Sequence, residues 1–150
     1  MRLVSVWLHL LGMAVWIGGL AYQTHVVLPQ ARRAGDPRLL AEIARRGRLV
    51  TWTGASLTVL TGLYNVTGLG PLERAMRSGA GAVLAGKFIL VVAMISLGAQ
   101  RDFGQVPRLL GPQRLASLRA IAWLDRAVLA LGAVVIYLGL VVSRLGHGVP

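Results

Sequence analysis

Four apolar segments, each about twenty residues long, constrain the fold of this chain more than any other feature. They cover about residues 3–28, 49–69, 82–100 and 123–143. A helix of roughly twenty apolar residues crosses a hydrocarbon core of about 30 Å. A helix also satisfies its backbone hydrogen bonds internally, as lipid requires. The pattern therefore predicts an all-α, polytopic membrane protein, a bundle of four transmembrane helices formed by residues 1–150 as one membrane domain.

Composition supports a lipid environment and excludes several kinds of chemistry. Hydrophobic residues make up 55% of the chain and charged residues only 14%, which is far from the composition of a water-soluble domain. Cysteine is absent, so disulfides, thiolate metal sites and thiol catalysis are excluded. The net charge of +11 is explained by the positive-inside rule and by attraction to anionic lipid headgroups, rather than by nucleic acid binding.

The distribution of arginines predicts the orientation in the membrane. Eleven of the sixteen basic residues follow the first and third apolar segments: Arg32, Arg33, Arg38, Arg45, Arg46, Arg48, Arg101, Arg108, Arg114, Arg119 and Arg126. Cytoplasmic loops are enriched in arginine and lysine. We therefore expect residues 29–48 and 101–122 to be cytoplasmic loops and both termini to lie outside.

Short motifs indicate structure within these two loops. Asp36 followed by Pro37 is typical of a helix start, and it predicts a short helix over 38–46 at the membrane surface. Residues 112–121 are expected to form a second helix, continuous with the fourth span. The tetrapeptide Pro-Arg-Leu-Leu occurs at 37–40 and again at 107–110, which suggests a duplicated helical hairpin.

Small and polar residues mark the faces on which the spans pack against one another. In the second span they recur at helical spacing, as Thr51, Gly54, Thr58, Thr61 and Asn65. Gly132 and Gly139 lie one heptad apart in the fourth span. Such residues let helices approach closely and gain nothing from facing lipid. Each span thus has an inward side.

Three polar residues share one depth in the outer half of the bundle. His9, Asn65 and Lys87 each lie four to six residues inside the outer boundary, which places them within roughly 3 Å of one another in depth at 1.5 Å per residue. An ionisable residue inside a membrane is a candidate functional group. We expect a shared cavity there. The alternative is that Lys87 extends towards the headgroups and that His9 bonds a backbone carbonyl.

The residues at this depth suit copper or haem b as a cofactor. A protein without any cofactor is the remaining alternative. The candidate metal ligands are His9, Met13 and His147, because imidazole and thioether both bind copper. For haem b, His9 is the candidate axial ligand. The other candidate cofactor-binding residues are Lys87, Asn65 and Arg144, with the two cations placed to pair with propionates.

A second polar group is expected at the cytoplasmic end of the bundle. Its members are Tyr22, Gln23, His25, Arg48, Trp52, Gln100, Arg101, Asp102 and Asp125. Aromatic residues favour membrane interfaces, and arginine–aspartate pairs commonly fasten helix ends. We interpret this group as structural.

The first apolar segment resembles the CopD-like copper-resistance membrane family. The resemblance rests on His9-Leu-Leu-Gly12, on Trp16-Ile-Gly-Gly-Leu20 and on Val-Val-Leu-Pro29, and it continues in 60–65 and at Lys87. The chain resembles more distantly the HemJ family, which is linked to protoporphyrinogen oxidation. The Asn-Glu-Pro-like stretch of that family is replaced here by residues 124–127. The resemblance implies a four-helix bundle in a bacterial or archaeal inner (cytoplasmic) membrane that handles copper or binds haem.

Three functions remain open from the sequence. The first is a CopD-like protein with a copper or haem b site in the outer half of the bundle. The second is a cofactor-free accessory subunit of a respiratory haem–copper oxidase or nitric oxide reductase. The third is a HemJ-like protoporphyrinogen oxidase. Beyond the lipid bilayer, the expected partner is a respiratory complex or a second copy of the chain, which could complete a metal site across a dimer axis.

Overall fold

The computed structural model describes residues 2–67 and 80–146, and this part of the chain is helical almost throughout. Its elements in chain order are α1 (Arg2–Tyr22), a first π-helix (Gln23–Val27), α2 (Leu28–Arg33), α3 (Pro37–Thr67), α4 (Ala80–Ala99), a second π-helix (Gln100–Gln105), a 3₁₀-helix (Pro107–Leu110) and α5 (Arg114–Gly146). The all-α prediction is confirmed for these residues, which include no strand.

Two helical hairpins make up the architecture. In each, a first helix of about twenty residues runs into a π-helix, then a short helix with a proline at its first or second residue, then a tight turn and a longer second helix. α1 packs along α3, and α4 packs along α5. The order of elements supports a duplicated hairpin, but the Pro-Arg-Leu-Leu repeat is not its signature. Pro37 starts α3, whereas Pro107 follows the second π-helix and corresponds in position to Pro29.

The segments predicted as loops, 29–48 and 101–122, are largely helical, with turns at 34–36, at 106 and at 111–113. Asp36 caps α3 as predicted, because its Oδ1 accepts a hydrogen bond of 2.9 Å from the Arg38 amide. The helix that begins there does not stop at the membrane surface. It continues for 31 residues, so the short surface helix predicted over 38–46 is the first part of α3. The helix expected over 112–121 is continuous with the fourth apolar segment, as predicted.

Among the described residues, three helical stretches are long and apolar enough to cross a membrane: Leu3–Arg33, Gly81–Leu110 and Arg114–Val141. α3 is long enough, but it is not among them. Its apolar half, which carries the predicted second span, contains five threonines and Asn65, and these lower its hydropathy. The predicted end of that span, Leu69, lies outside the described residues.

The side chains form two separate hydrophobic clusters. The first, which we call the bundle core, consists of Trp16, Leu20, Ala55, Met94 and Val128. The second, the hairpin-end core, is formed where the two hairpins turn, and it includes Val27, Leu28, Leu40, Leu109 and Ile121. The turns of both hairpins therefore lie at the same end of the molecule. This end carries the eleven arginines singled out in the sequence.

Glycines bring α1 and α3 into close contact. A Cβ placed on Gly12 would lie 2.9 Å from the Gly54 carbonyl oxygen, and one placed on Gly54 would lie 3.1 Å from the Gly12 carbonyl oxygen. Neither helix could carry a side chain at this crossing without moving. The inward face predicted for the second span is confirmed at Gly54 and Thr58, which are buried against α1.

Candidate functional site

His9 lies between α1 and α3, where it contacts the small and polar face of α3. Its Nδ1 is 2.9 Å from the carbonyl oxygen of Thr58 and 3.2 Å from the hydroxyl oxygen of Thr61. A carbonyl oxygen only accepts hydrogen bonds, so Nδ1 is the nitrogen that donates. In a neutral imidazole this leaves Nε2 without a proton and with its lone pair available. This atom is the one expected to bind a metal.

Gly62 provides the space for the imidazole ring. A Cβ on Gly62 would lie 3.1 Å from His9 Cε1, so the ring packs directly over the backbone of α3. Thr61 donates its own hydroxyl proton to the Leu57 carbonyl, which leaves its oxygen to accept from His9. The sequence marked Thr58 and Thr61 as a packing face but did not identify them as the partners of His9. The signal that could have identified these partners was the helical spacing of Thr58 and Thr61 opposite the glycines of α1.

The other residues predicted around His9 make no hydrogen bond to it among the described residues. Lys87 packs against α5, where its Nζ would lie 3.4 Å from a Cβ on Gly139. Asn65 and Met13 are half-buried. No hydrogen bond joins His9, Asn65 and Lys87 to one another in the part of the chain that the structure describes. The shared cavity therefore stays a prediction.

Two further predicted residues cannot be placed at the site. Arg144 belongs to α5, but its side chain lies outside the described residues, as does the whole of His147. The candidate copper ligands that the structure describes are thus His9 and Met13. Within residues 2–67 and 80–146, no group of three or more His, Cys, Asp or Glu side chains is placed to hold a metal ion.

Among the described residues, His9 offers one ligand atom, and copper and haem differ in how many ligands they need from the protein. A protein copper site needs several ligands from side chains, whereas a haem iron already has four nitrogens from the porphyrin and needs one axial ligand. His9 offers one unprotonated Nε2, and the backbone hydrogen bond at Nδ1 fixes its tautomer. A second-shell bond of this kind is usual for ligating histidines. The described residues therefore suit a single axial ligand.

A second polar cluster lies between the bundle core and the hairpin-end core, and we call it the polar layer. Arg101 is its centre. Nε donates to Asp125 Oδ1, one terminal nitrogen donates to Asp102 Oδ1, and the other donates to Gln23 Oε1, each over 2.6 Å. Trp52 Nε1 donates to Asp102 Oδ2 over 2.9 Å. All four long helical stretches contribute a side chain to this network.

The π-helices are part of what builds the polar layer. Gln23 opens the first π-helix, and Arg101 and Asp102 belong to the second. A π-helix inserts an extra residue per turn and turns the following side chains to a different face. The Arg101 and Asp102 side chains are neighbours in sequence, yet both are directed into the protein and are about 5% exposed.

Asp125 is the most deeply buried member of the polar layer. It is 0% exposed, and its second oxygen, Oδ2, has no hydrogen-bond partner among the described residues. The Thr24 side chain is nearby in the first π-helix, but its hydroxyl donates to the Leu20 carbonyl. Asp125 also lines a cavity of about 20 Å³, room for about one water molecule.

Several members of the predicted cytoplasmic polar group lie outside this network. Tyr22 and Gln100 are exposed. His25 is exposed too, and its Nδ1 bonds only the Ala21 carbonyl of its own helix, at 3.0 Å. Arg48 is attached to the edge of the layer, since it donates to the Asp102 carbonyl and lies 4.8 Å from the centre of the Phe103 ring.

The structure thus defines an all-helical protein with membrane-compatible helices, a histidine between α1 and α3, and a buried charged layer near the hairpin turns. Comparisons of the chain with protein-family models, curated proteins and solved structures found no match.

Proposed function

We propose that this chain is a CopD-like membrane protein that binds haem b through His9. The observation that carries the proposal is the hydrogen bond from His9 Nδ1 to the Thr58 carbonyl. It leaves Nε2 as an unprotonated ligand atom and holds the ring against α3. His9 is half-buried, so part of the imidazole remains accessible from outside the hairpin.

The proposal includes four membrane spans with both termini outside. α3 supplies the second span, in addition to the three stretches identified by hydropathy, because it packs along α1, while Leu49, Leu60 and Leu63 cover its exposed side. The eleven arginines at the hairpin turns support a cytoplasmic location for that end. The membrane would be the inner (cytoplasmic) membrane of a bacterium or archaeon, as the family resemblance implies.

When bound, haem b would supply one-electron redox chemistry in the outer half of the bundle. His9 would hold the haem iron, and its hydrogen bond to the Thr58 carbonyl would keep the ring orientation constant. Lys87 provides a cation inside α4 that can pair with a propionate. A buried lysine needs such a partner or a polar environment.

The first experiment is an ultraviolet–visible spectrum of detergent-purified protein, oxidised and dithionite-reduced, with metal analysis of the same sample. We expect a Soret band that is lost in His9→Ala. The matched control is His25→Ala, since His25 also bonds a backbone carbonyl through Nδ1 but is exposed. A Soret band that survives His9→Ala contradicts the proposed ligand.

Copper without haem is a distinct outcome of the same experiment. Stoichiometric copper in a sample without a Soret band would support the copper version of the site, with Met13 as a second donor. His9→Ala and Met13→Leu should then both lower the copper content. Oxidation of protoporphyrinogen by the purified protein would favour the HemJ-like alternative.

A second candidate function is that of an accessory subunit of a respiratory haem–copper oxidase or nitric oxide reductase. The exposure of α4 favours it, since Met94 is the one buried side chain in 81–99. Such a helix is covered either by lipid or by a partner. A colourless, metal-free protein that co-purifies with a respiratory complex would support this function and exclude the haem proposal.

A further inference from the structure

A cavity of about 470 Å³ opens where the two hairpins turn. One side is formed by α2 and the turn that leads into α3, and the other by the first turns of α5. Its floor is apolar, because Ala31 and Leu118 are buried there. Arg32, Arg114 and Arg119 also line it. The volume is in the range of sites for small molecules.

The three arginines leave the cavity strongly positive. No acidic side chain is among its lining residues. The ion pairs of the described residues join Arg46 to Glu42 and Arg101 to Asp102 and Asp125, so none involves the arginines of the cavity.

Arg32 extends across the cavity between α2 and α5. One terminal nitrogen of its guanidinium donates to the Leu118 carbonyl over 3.3 Å. This contact holds the side chain in place while leaving its other donors free of protein partners in the described part of the chain. Guanidinium groups arranged in this way bind phosphate oxygens with good geometry.

The start of α5 adds to the positive potential. Arg114 is both the first residue of α5 and a lining residue, so the unpaired amides of the first turn lie beside the cavity. The first turn of α3 contributes less, because Asp36 already caps it. Asp36 is the nearest negative charge in sequence, and it is engaged with α3.

An apolar floor below a rim of arginines indicates an amphiphilic ligand. Leu115 also lines the cavity and is 68% exposed. A fully hydrated inorganic ion makes no use of such surface, whereas an ester carries an apolar group beside its phosphate.

We propose that this cavity binds a phosphate ester through Arg32, Arg114 and Arg119. The phosphate belongs either to the headgroup of an anionic phospholipid or to a soluble phosphate ester. In the proposed orientation, Arg119 and Arg114 precede the exposed Trp123 by four and nine residues, about 6 and 13 Å along the helix axis. This places the cavity at or just beyond the headgroups, where both sources reach it.

The test compares two triple variants that lose the same charge. Arg32→Gln/Arg114→Gln/Arg119→Gln removes the rim of the cavity. Its matched control removes three exposed arginines that do not line the cavity, in Arg38→Gln/Arg45→Gln/Arg126→Gln. Binding is measured on the full chain in neutral detergent, by native mass spectrometry with phosphatidylglycerol against phosphatidylcholine, and by the thermal midpoint with glycerol phosphate against sodium sulfate at equal ionic strength.

We expect the cavity variant to weaken binding at least ~10-fold more than the control, since it loses charge-assisted hydrogen bonds as well as charge. Preference for phosphatidylglycerol alone identifies a lipid site, and stabilisation by glycerol phosphate alone identifies a soluble ester. Equal weakening in the two variants overturns the proposal, because it shows a general surface attraction. The absence of any effect of either ligand on the unmutated chain overturns it as well.

Folding of the variant is controlled separately. Arg32 bonds a backbone carbonyl, so its loss can disturb the hairpin turns. Arg114→Gln/Arg119→Gln alters only exposed side chains that make no hydrogen bond to other described residues, and it should reproduce most of the weakening. The cavity lies at the hairpin turns, whereas His9 lies towards the other end of α1. A Soret band, where present, should therefore be unchanged in each of these variants.

Discussion

Arg101 and Asp125 form a buried pair in which Nε donates to Oδ1 over 2.6 Å, and this pair fastens the second π-helix to α5. Both side chains are no more than 5% exposed. Removing a buried charge from water is costly, and the cost is recovered only when the partner is well placed and the remaining donors are satisfied. Arg101 meets this condition, since Asp102 and Gln23 accept its other hydrogen bonds.

Asp125→Ala should therefore be strongly destabilising. It leaves Arg101 buried with one carboxylate fewer, and we expect a loss of about 3–5 kcal/mol in the free energy of unfolding. Denaturant titration in detergent measures it. Glu42→Ala is the control, because it breaks the exposed pair with Arg46 and should cost at most about 1 kcal/mol. Similar losses in the two variants would contradict a stabilising role for the polar layer.

Trp52→Phe tests the hydrogen-bond donor that α3 contributes to the polar layer. It removes the hydrogen bond from Nε1 to Asp102 Oδ2 while keeping an aromatic ring. An unsatisfied buried acceptor costs about 1–3 kcal/mol, and we expect a loss in this range. Trp123→Phe, at a residue that is 67% exposed, should change stability little. The two variants are compared by thermal unfolding.

Gly12→Ala should separate α1 from α3. The new methyl group would meet the Gly54 carbonyl oxygen at 2.9 Å and the Thr58 amide nitrogen at 3.0 Å, and backbone atoms cannot turn away as a side chain can. Overpacking of this kind costs about 1–3 kcal/mol.

Gly18→Ala is the matched control for this crossing. Nothing lies within 4 Å of a Cβ at Gly18, and alanine is the better helix former, so the variant should be neutral or slightly stabilising. A cross-link between cysteines introduced in α1 and α3 reports the separation directly. Unchanged cross-linking in Gly12→Ala would show that the crossing tolerates the methyl group.

Asp36→Ala should weaken the start of α3. The variant loses the acceptor for the Arg38 amide, and removal of such a cap costs about 1 kcal/mol. Asp36→Asn keeps an acceptor oxygen and should retain most of the stability. Amide hydrogen exchange at 38–41 provides the measurement, with faster exchange expected in the alanine variant alone.

His9 should carry its proton on Nδ1 in the protein without a bound metal. The Thr58 carbonyl can only accept a hydrogen bond, which determines the tautomer. Nitrogen-15 NMR of histidine-labelled protein distinguishes the two ring nitrogens. Thr61→Ala removes the second contact but not the carbonyl, so the tautomer should persist. A signal from a protonated Nε2 and a bare Nδ1 would contradict the structure.

The apolar segments and helix starts could be predicted from sequence because their signals are local. Asp36 and Pro37 sit next to each other, and the cap that they form needs no knowledge of the rest of the fold. The inward face of α3 was predictable for a similar reason, since Gly54 and Thr58 repeat at helical spacing. The lengths of the helices could not be predicted, because hydropathy indicates where the lipid ends rather than where a helix ends.

That His9 bonds a backbone carbonyl was one of the two alternatives from the sequence, but the residue that supplies the carbonyl could not be predicted. Equal depth placed His9 and Lys87 at one level of the bundle, but depth does not give the contacts that each side chain makes. In the structure His9 contacts Thr58 on α3, and Lys87 contacts Gly139 on α5. The π-helices were missed as well. Their i→i+5 bonds have no sequence period, although they direct Gln23 and Arg101 towards each other.

The polar layer also has a consequence for how the chain is made. Its residues emerge from the ribosome in the order Gln23, Trp52, Arg101 with Asp102, and then Asp125, which follows Arg101 by 24 positions. A nascent chain that lacks its last helix therefore leaves Arg101 without one of its two carboxylate partners. The polar layer is complete only when both hairpins have formed.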